Sequence, residues 1–84
     1  MDLYENINMI QTRENFVEFL YLMVKDKELN SEEWENKSIT EYIEGMASWV
    51  EDMDGYYNNM NLQMPRDIDW KFIATLLYVG KIYE

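Results

Sequence analysis

The chain contains no cysteine and no histidine. Those two absences remove disulfide cross-links, thiol nucleophiles, imidazole bases and the common zinc donor sets. Proline occurs once, at Pro65, and glycine three times, so strong chain breakers are scarce. Basic residues number 7 against 17 acidic ones, for a net charge of −10. Nucleic-acid phosphates and anionic lipid repel such a chain, so no direct nucleic-acid or membrane role is expected. No run approaches the roughly 18 apolar residues of a membrane span. The opening MDLYENINMI lacks the basic region and apolar run of a signal peptide, and the expected location is cytoplasmic.

What is present points to a small folded domain. The 84 residues allow one core, and a hydrophobic content of 48% excludes a disordered chain. Aromatics, at 15%, supply the large buried areas that a domain without cross-links needs. The charge is uneven: residues 28–54 hold nine carboxylates and a single base, Lys37. This block is either a solvated face or a surface for a basic partner.

Apolar spacing is helical throughout, and strict alternation is absent. The expected fold is all-α: a compact antiparallel bundle of three main helices forming one domain over 1–84. Residues 1–11 read as an N-terminal arm or a short helix. Thr12 is placed to cap the first main helix, whose stripe is Phe16, Phe19, Leu20, Met23 and Val24 and whose end falls near Lys27 to Leu29. A connection follows, with a short helical turn that Ser31 could cap. Trp34, alone in an acidic loop, is expected to fold back onto the core. Ser38-Ile39-Thr40-Glu41 is a capping box and the clearest helix start in the chain. Its helix carries Tyr42, Ile43, Met46, Trp49, Val50, Met53 and Tyr57 on a broad apolar face, with Glu41, Glu44 and Glu51 opposite. Gly45, on one edge of that face, marks a place where a neighbour approaches closely. Gly55 is expected to loosen or end the helix. Asp67 or Asp69 caps the third helix, which is apolar nearly all round. It is therefore central or shared with a partner, and a homodimer is compatible with it.

Candidate sites follow from the carboxylates and aromatics. Val50–Asn61 has a superficial calcium-loop spacing, but Val50 and Asn61 stand where its first and last ligands are required. Without histidine, the carboxylate metal sites typical of helical bundles are incomplete. No metal, cofactor or catalytic residue is expected. Asp52 and Asp54 sit at the apolar margin, where a buried carboxylate could serve acid–base chemistry or, more simply, bond Trp, Tyr or backbone. Trp49, Tyr56, Tyr57, Trp34 and Trp70 are core residues or the wall of a binding patch.

The block WEN (Trp34, Glu35, Asn36), the capped helix YIEGMASWVEDMDGYY (Tyr42–Tyr57), and the later Pro65, Trp70, Tyr83 and Glu84 form a recognisable combination. It is similar to a family of small bacterial helical proteins catalogued as a domain of unknown function. The resemblance runs from about Thr12 to Glu84. Val50 stands where that pattern more often has Leu, and Gly45 where it more often has Ala. The resemblance implies a small cytoplasmic helical protein, brings no activity or cofactor, and draws attention to Trp34, Glu35, Asn36, Trp49 and Asp52. It suggests that Glu35 or Asn36 bonds near the start of the long helix, with Trp34 beneath.

The sequence therefore supports a non-enzymatic protein-interaction domain with Trp34, Glu35, Asn36, Trp49, Asp52, Asp54 and Tyr56 as candidate polar or aromatic site residues. Glu41, Glu44 and Glu51 form a candidate acidic face. One alternative is an inhibitor or immunity-type protein masking a basic toxin or nuclease. The other is a small enzyme or ligand-binding protein with a carboxylate and aromatic site.

Overall fold

Each of the four α-helices begins on a side-chain cap that the local sequence provides. In the computed structural model, which describes residues 2–83, Asp2 caps α1 (Leu3–Ile7) and Thr12 caps α2 (Arg13–Leu29). Ser38 caps α3 (Ile39–Asn59), with both bonds of its box to Glu41 in place. Asp69, not Asp67, caps α4 (Trp70–Ile82), its carboxylate accepting from the Phe72 amide at 2.8 Å. A single 3₁₀ turn, Ser31–Glu33, links α2 to α3; Asn30 precedes it, and Ser31 makes no cap bond there. No strand occurs among the described residues.

Gly55 does not end α3. It faces open space, and the helix continues one further turn to Asn59. A penalty of about 1 kcal/mol for glycine is too small to break a helix whose flanking residues are packed. The stop comes from Asn61, which takes a left-handed φ of 56°. Its amide bonds back to the Asn58 carbonyl and that of Leu62 to the Tyr57 carbonyl, the two bonds of a Schellman closure. Glycine adopts this conformation without steric cost. Asn61→Gly is therefore expected to stabilise the chain by roughly 0.5 kcal/mol, and Asn61→Val to destabilise it by about 1–2 kcal/mol. Urea midpoints of the two variants check the opposite signs.

The bundle is organised on α4. Phe16 stacks on Trp70 at one end of α2 and Asp26 meets Lys81 at the other, so α2 and α4 run parallel. Along α3 the order reverses: Tyr57 belongs to the cluster with Phe72, while Gly45 lies at Gly80. The three main helices thus run up, down and up. α2 and α3 both pack on α4, and no Cα of one lies within 8 Å of a Cα of the other. α1 lies on α2 and α4, adding Leu3 and Ile7 to the core with Ile10 just beyond it. The nearly all-round apolarity of α4 is accounted for by this central position: Ala74 is fully buried, and every position from Phe72 to Lys81 is at least half-hidden. No helix of the described residues is long and apolar enough to cross a membrane.

Candidate functional site: an aromatic cleft beside a buried ion-pair clasp

The WEN segment closes the C-terminal end of α4. Trp34 is buried and donates its indole N–H to Asp26 at 2.8 Å. Asp26 is itself buried and pairs with the buried ammonium of Lys81 at 2.8 Å. Lys81 and Lys27 also lie over the Trp34 ring, at 5.7 and 5.9 Å from its centroid. Burial pushes the Asp26 carboxyl up, but the bonds from Lys81, Trp34 and Asn30 outweigh it and hold the group below its ordinary value. Asn36 donates to the carbonyls of Gly80 and Tyr83, at 2.9 and 2.7 Å, and its own amide donates to Lys81. These are helix-end carbonyls that would otherwise lack partners.

This corrects the expectation for the segment. Asn36 ties down the end of α4 and not the start of α3, and Glu35 is exposed. The start of α3 uses its own capping box instead: Glu41 accepts from the Ser38 and Lys37 amides, and Ser38 accepts from the Glu41 amide. Gly45 has a specific role: a Cβ there would lie 2.6 Å from Asn36 Nδ2 and 2.6 Å from the Tyr83 carbonyl oxygen. The departure at position 45 is thus a close contact between elements. Trp34 and Asn36 are structural members of this clasp. Asp26 and Lys81 were not singled out from sequence, although Asp26 continues the Phe16, Phe19, Met23 stripe at helical spacing.

On the other flank of α3 lies a cleft of about 710 Å³ between α1, α3 and α4. Its walls include Tyr4 from α1, Trp49, Asp52, Gly55 and Tyr56 from α3, and Tyr78 and Tyr83 from α4 and its end. Asp52 is exposed and accepts the Tyr83 hydroxyl at 2.7 Å. Trp49 is 2% exposed and packs edge-on to Tyr56, ring centroids 5.4 Å apart. Its indole N–H has no partner among the described residues, which costs about 1–3 kcal/mol for a buried donor. Tyr4 sits 5.9 Å from Tyr78.

Three of the cleft phenols, Tyr56, Tyr78 and Tyr83, are held neutral. Burial, with Tyr4, Tyr57 and Tyr78 nearby, pushes Tyr56 up to about 12. Burial also raises Tyr78, and donation to Asp52 raises Tyr83. They therefore present ring faces and hydroxyl donors at neutral pH, not bases.

Of the residues expected at a site, Trp49, Asp52 and Tyr56 meet here. Asp54 is exposed and is not among the cleft residues, and Trp70 stacks on Phe16 away from it. Tyr57 is buried against Trp49 and belongs to the core. Glu41, Glu44 and Glu51 are all exposed; Glu51 precedes Gly55 by one turn, which places it along the cleft's flank. Tyr4, Tyr78 and Tyr83 were missed because they come from other elements. Among the described residues no three carboxylates converge where a metal ion could sit.

Comparison with curated proteins and with solved structures returned no match. Residues 12–84 match the Family of unknown function (DUF7660), a span that includes the clasp and all of the cleft except Tyr4. The chain belongs to that family.

Proposed function

We propose that the protein is a non-enzymatic interaction domain whose cleft receives a cationic side chain from a basic protein partner. The observation that carries this reading is the composition of the cleft: tyrosine rings and a tryptophan around one exposed carboxylate, Asp52, in a chain of charge −10. An aromatic face attracts an ammonium or guanidinium by about 0.5–2 kcal/mol, more as water is excluded. The acidic residues of α3 beside the cleft would steer a basic protein toward it. A cytoplasmic setting fits a chain with no cysteine. Masking of a basic toxin or nuclease is the finer version of this role, because the surface such a partner uses for phosphates is the kind that this flank complements.

The test is an NMR titration with a tetra-arginine peptide. The indole N–H resonance of Trp49 and the amide of Gly55 should shift, while the indole of Trp70 stays still. Asp52→Asn should weaken binding about tenfold, equivalent to roughly 1.4 kcal/mol, and added salt should weaken it further. Shifts spread evenly along Glu41, Glu44 and Glu51 and indifferent to Asp52→Asn would reject the cleft as the receptor.

A further inference from the structure

The walls of the cleft between α1, α3 and α4 are chiefly aromatic rings. Tyr4 of α1, Tyr56 of α3, Tyr78 of α4 and Tyr83 just beyond α4 all line it. Tyr4 and Tyr78 come from opposite ends of the sequence and bring their ring centroids within 5.9 Å, the planes 54° apart. Trp49 buttresses Tyr56 from behind its edge. Among the described residues no lysine or arginine lines the cleft, whereas Lys27 and Lys37 line the groove between α2 and α3. Asp52 is the one carboxylate on its walls, and its Oδ2 already accepts the Tyr83 hydroxyl at 2.7 Å. Apart from the phenols, the other side-chain acceptors there belong to Asn59 and Thr75. The cleft thus offers a cation many rings, one negative charge and few hydrogen bonds.

We infer that the group this cleft takes is a methylated ammonium, carried on a lysine side chain of the basic partner. The inference rests on the proposed function, which gives the cleft to a cationic side chain, and names the form of that cation. A bare ammonium brings three N–H donors and a guanidinium five. Each donor leaves water on entry, and a buried donor without an acceptor is costly. Ring and aliphatic walls do not replace those bonds. Methylation removes the N–H groups, puts apolar surface in their place and leaves the positive charge. Tyrosine faces attract that charge through the methyl groups and ask for no hydrogen bond. Asp52 balances it, with the Tyr83 hydroxyl holding the carboxylate in place. The remainder of the cleft, about 710 Å³ in all, is bordered by Met60, Val79 and Ile82. That apolar surface suits the aliphatic stem of a lysine.

An NMR titration of the full chain with a short peptide, its single lysine bare or trimethylated, tests this. The trimethylated form is expected to bind about fivefold more tightly than the bare form, read at the Trp49 indole and the Gly55 amide. The same peptide with a neutral tert-butyl group in place of the trimethylammonium has the shape without the charge, and should bind about tenfold more weakly than the trimethylated one. Tyr4 is 40% exposed, so Tyr4→Leu should fold as the parent does yet lose about threefold in affinity for the trimethylated peptide. Tyr4→Phe keeps the ring and should bind as the parent does. Equal binding of bare and trimethylated lysine, or of the tert-butyl and trimethylated forms, overturns the inference. Choline binding more tightly than the trimethylated peptide overturns the assignment to a lysine side chain. If methylation brings no gain while tetra-arginine still shifts the same resonances in an Asp52-dependent way, this inference falls and the proposed function stands. Silence toward every cation rejects both.

Discussion

Asp26→Ala is expected to lose about 3–5 kcal/mol of folding stability, a large part of what a domain of this size possesses. Asp26 and Lys81 are both buried, 3% and 8% exposed, and meet at 2.8 Å. Removing the carboxylate strands an ammonium out of water and also takes the acceptor from the Trp34 indole. Removing both charges behaves differently. A buried ion pair repays little more than its own desolvation, so a well-packed apolar pair is close to neutral. Asp26→Leu combined with Lys81→Met should therefore recover most of the loss. About 1–2 kcal/mol should remain unrecovered for the unbonded Trp34 indole. Urea denaturation of the single and double variants gives the coupling directly.

The same pair gives stability a pH dependence with a definite sign. The folded carboxyl of Asp26 titrates below its ordinary value of 3.8, so the unfolded chain binds the proton more readily. Its contribution is complete above about pH 4 and drains away as pH falls through the lower, folded value. Glu41 is shifted in the same direction by the amides of Ser38 and Lys37 and steepens the same limb. Urea midpoints measured from pH 7 down to about 3 should fall chiefly below about 4. In the double variant the share due to Asp26 should be absent, leaving the shallower slope of Glu41.

Local features were legible in the sequence because they are made by neighbours. Thr12, Ser38 and Asp69 each cap a helix through an amide three residues on, and that spacing is visible without a fold. The apolar circumference of α4 was legible as a helix either central or shared with a partner, and contacts with α1, α2 and α3 give it the central place. Trp49, Asp52 and Tyr56 were legible as a group because they share one flank of one helix. The remainder of the cleft was not, since Tyr4 and Tyr83 reach it from opposite ends of the chain. The clasp was hidden for the same reason. Asn36 finds its acceptors at Gly80 and Tyr83, and nothing near Asn36 in sequence records them. Gly55 misled in the other direction: a residue that favours helix ends was overridden by packing on either side of it.

Gly45→Ala should destabilise the chain by about 2 kcal/mol, although alanine is worth about 1 kcal/mol more than glycine in an ordinary helix interior. The added methyl would sit 2.6 Å from both Asn36 Nδ2 and the Tyr83 carbonyl oxygen, and 3.3 Å from that of Gly80. Those atoms cannot retreat independently, because Asn36 holds the two carbonyls with its own bonds at 2.9 and 2.7 Å. Admitting the methyl means moving the end of α4 or giving up those bonds. Overpacking of this kind costs about 1–3 kcal/mol, and each lost bond adds about 1. Gly55→Ala is the control on the same helix. Its Cβ would meet nothing within 4 Å, so the propensity gain of up to about 1 kcal/mol should appear undiminished. Urea denaturation of both variants separates intrinsic propensity from packing, since the chemical change is identical and only the neighbours differ. Equal stabilisation at the two positions would mean that α3 and α4 are not drawn together at Gly45. A loss at 45 beside a gain at 55 would show that the WEN segment, through Asn36, sets how closely the two helices approach.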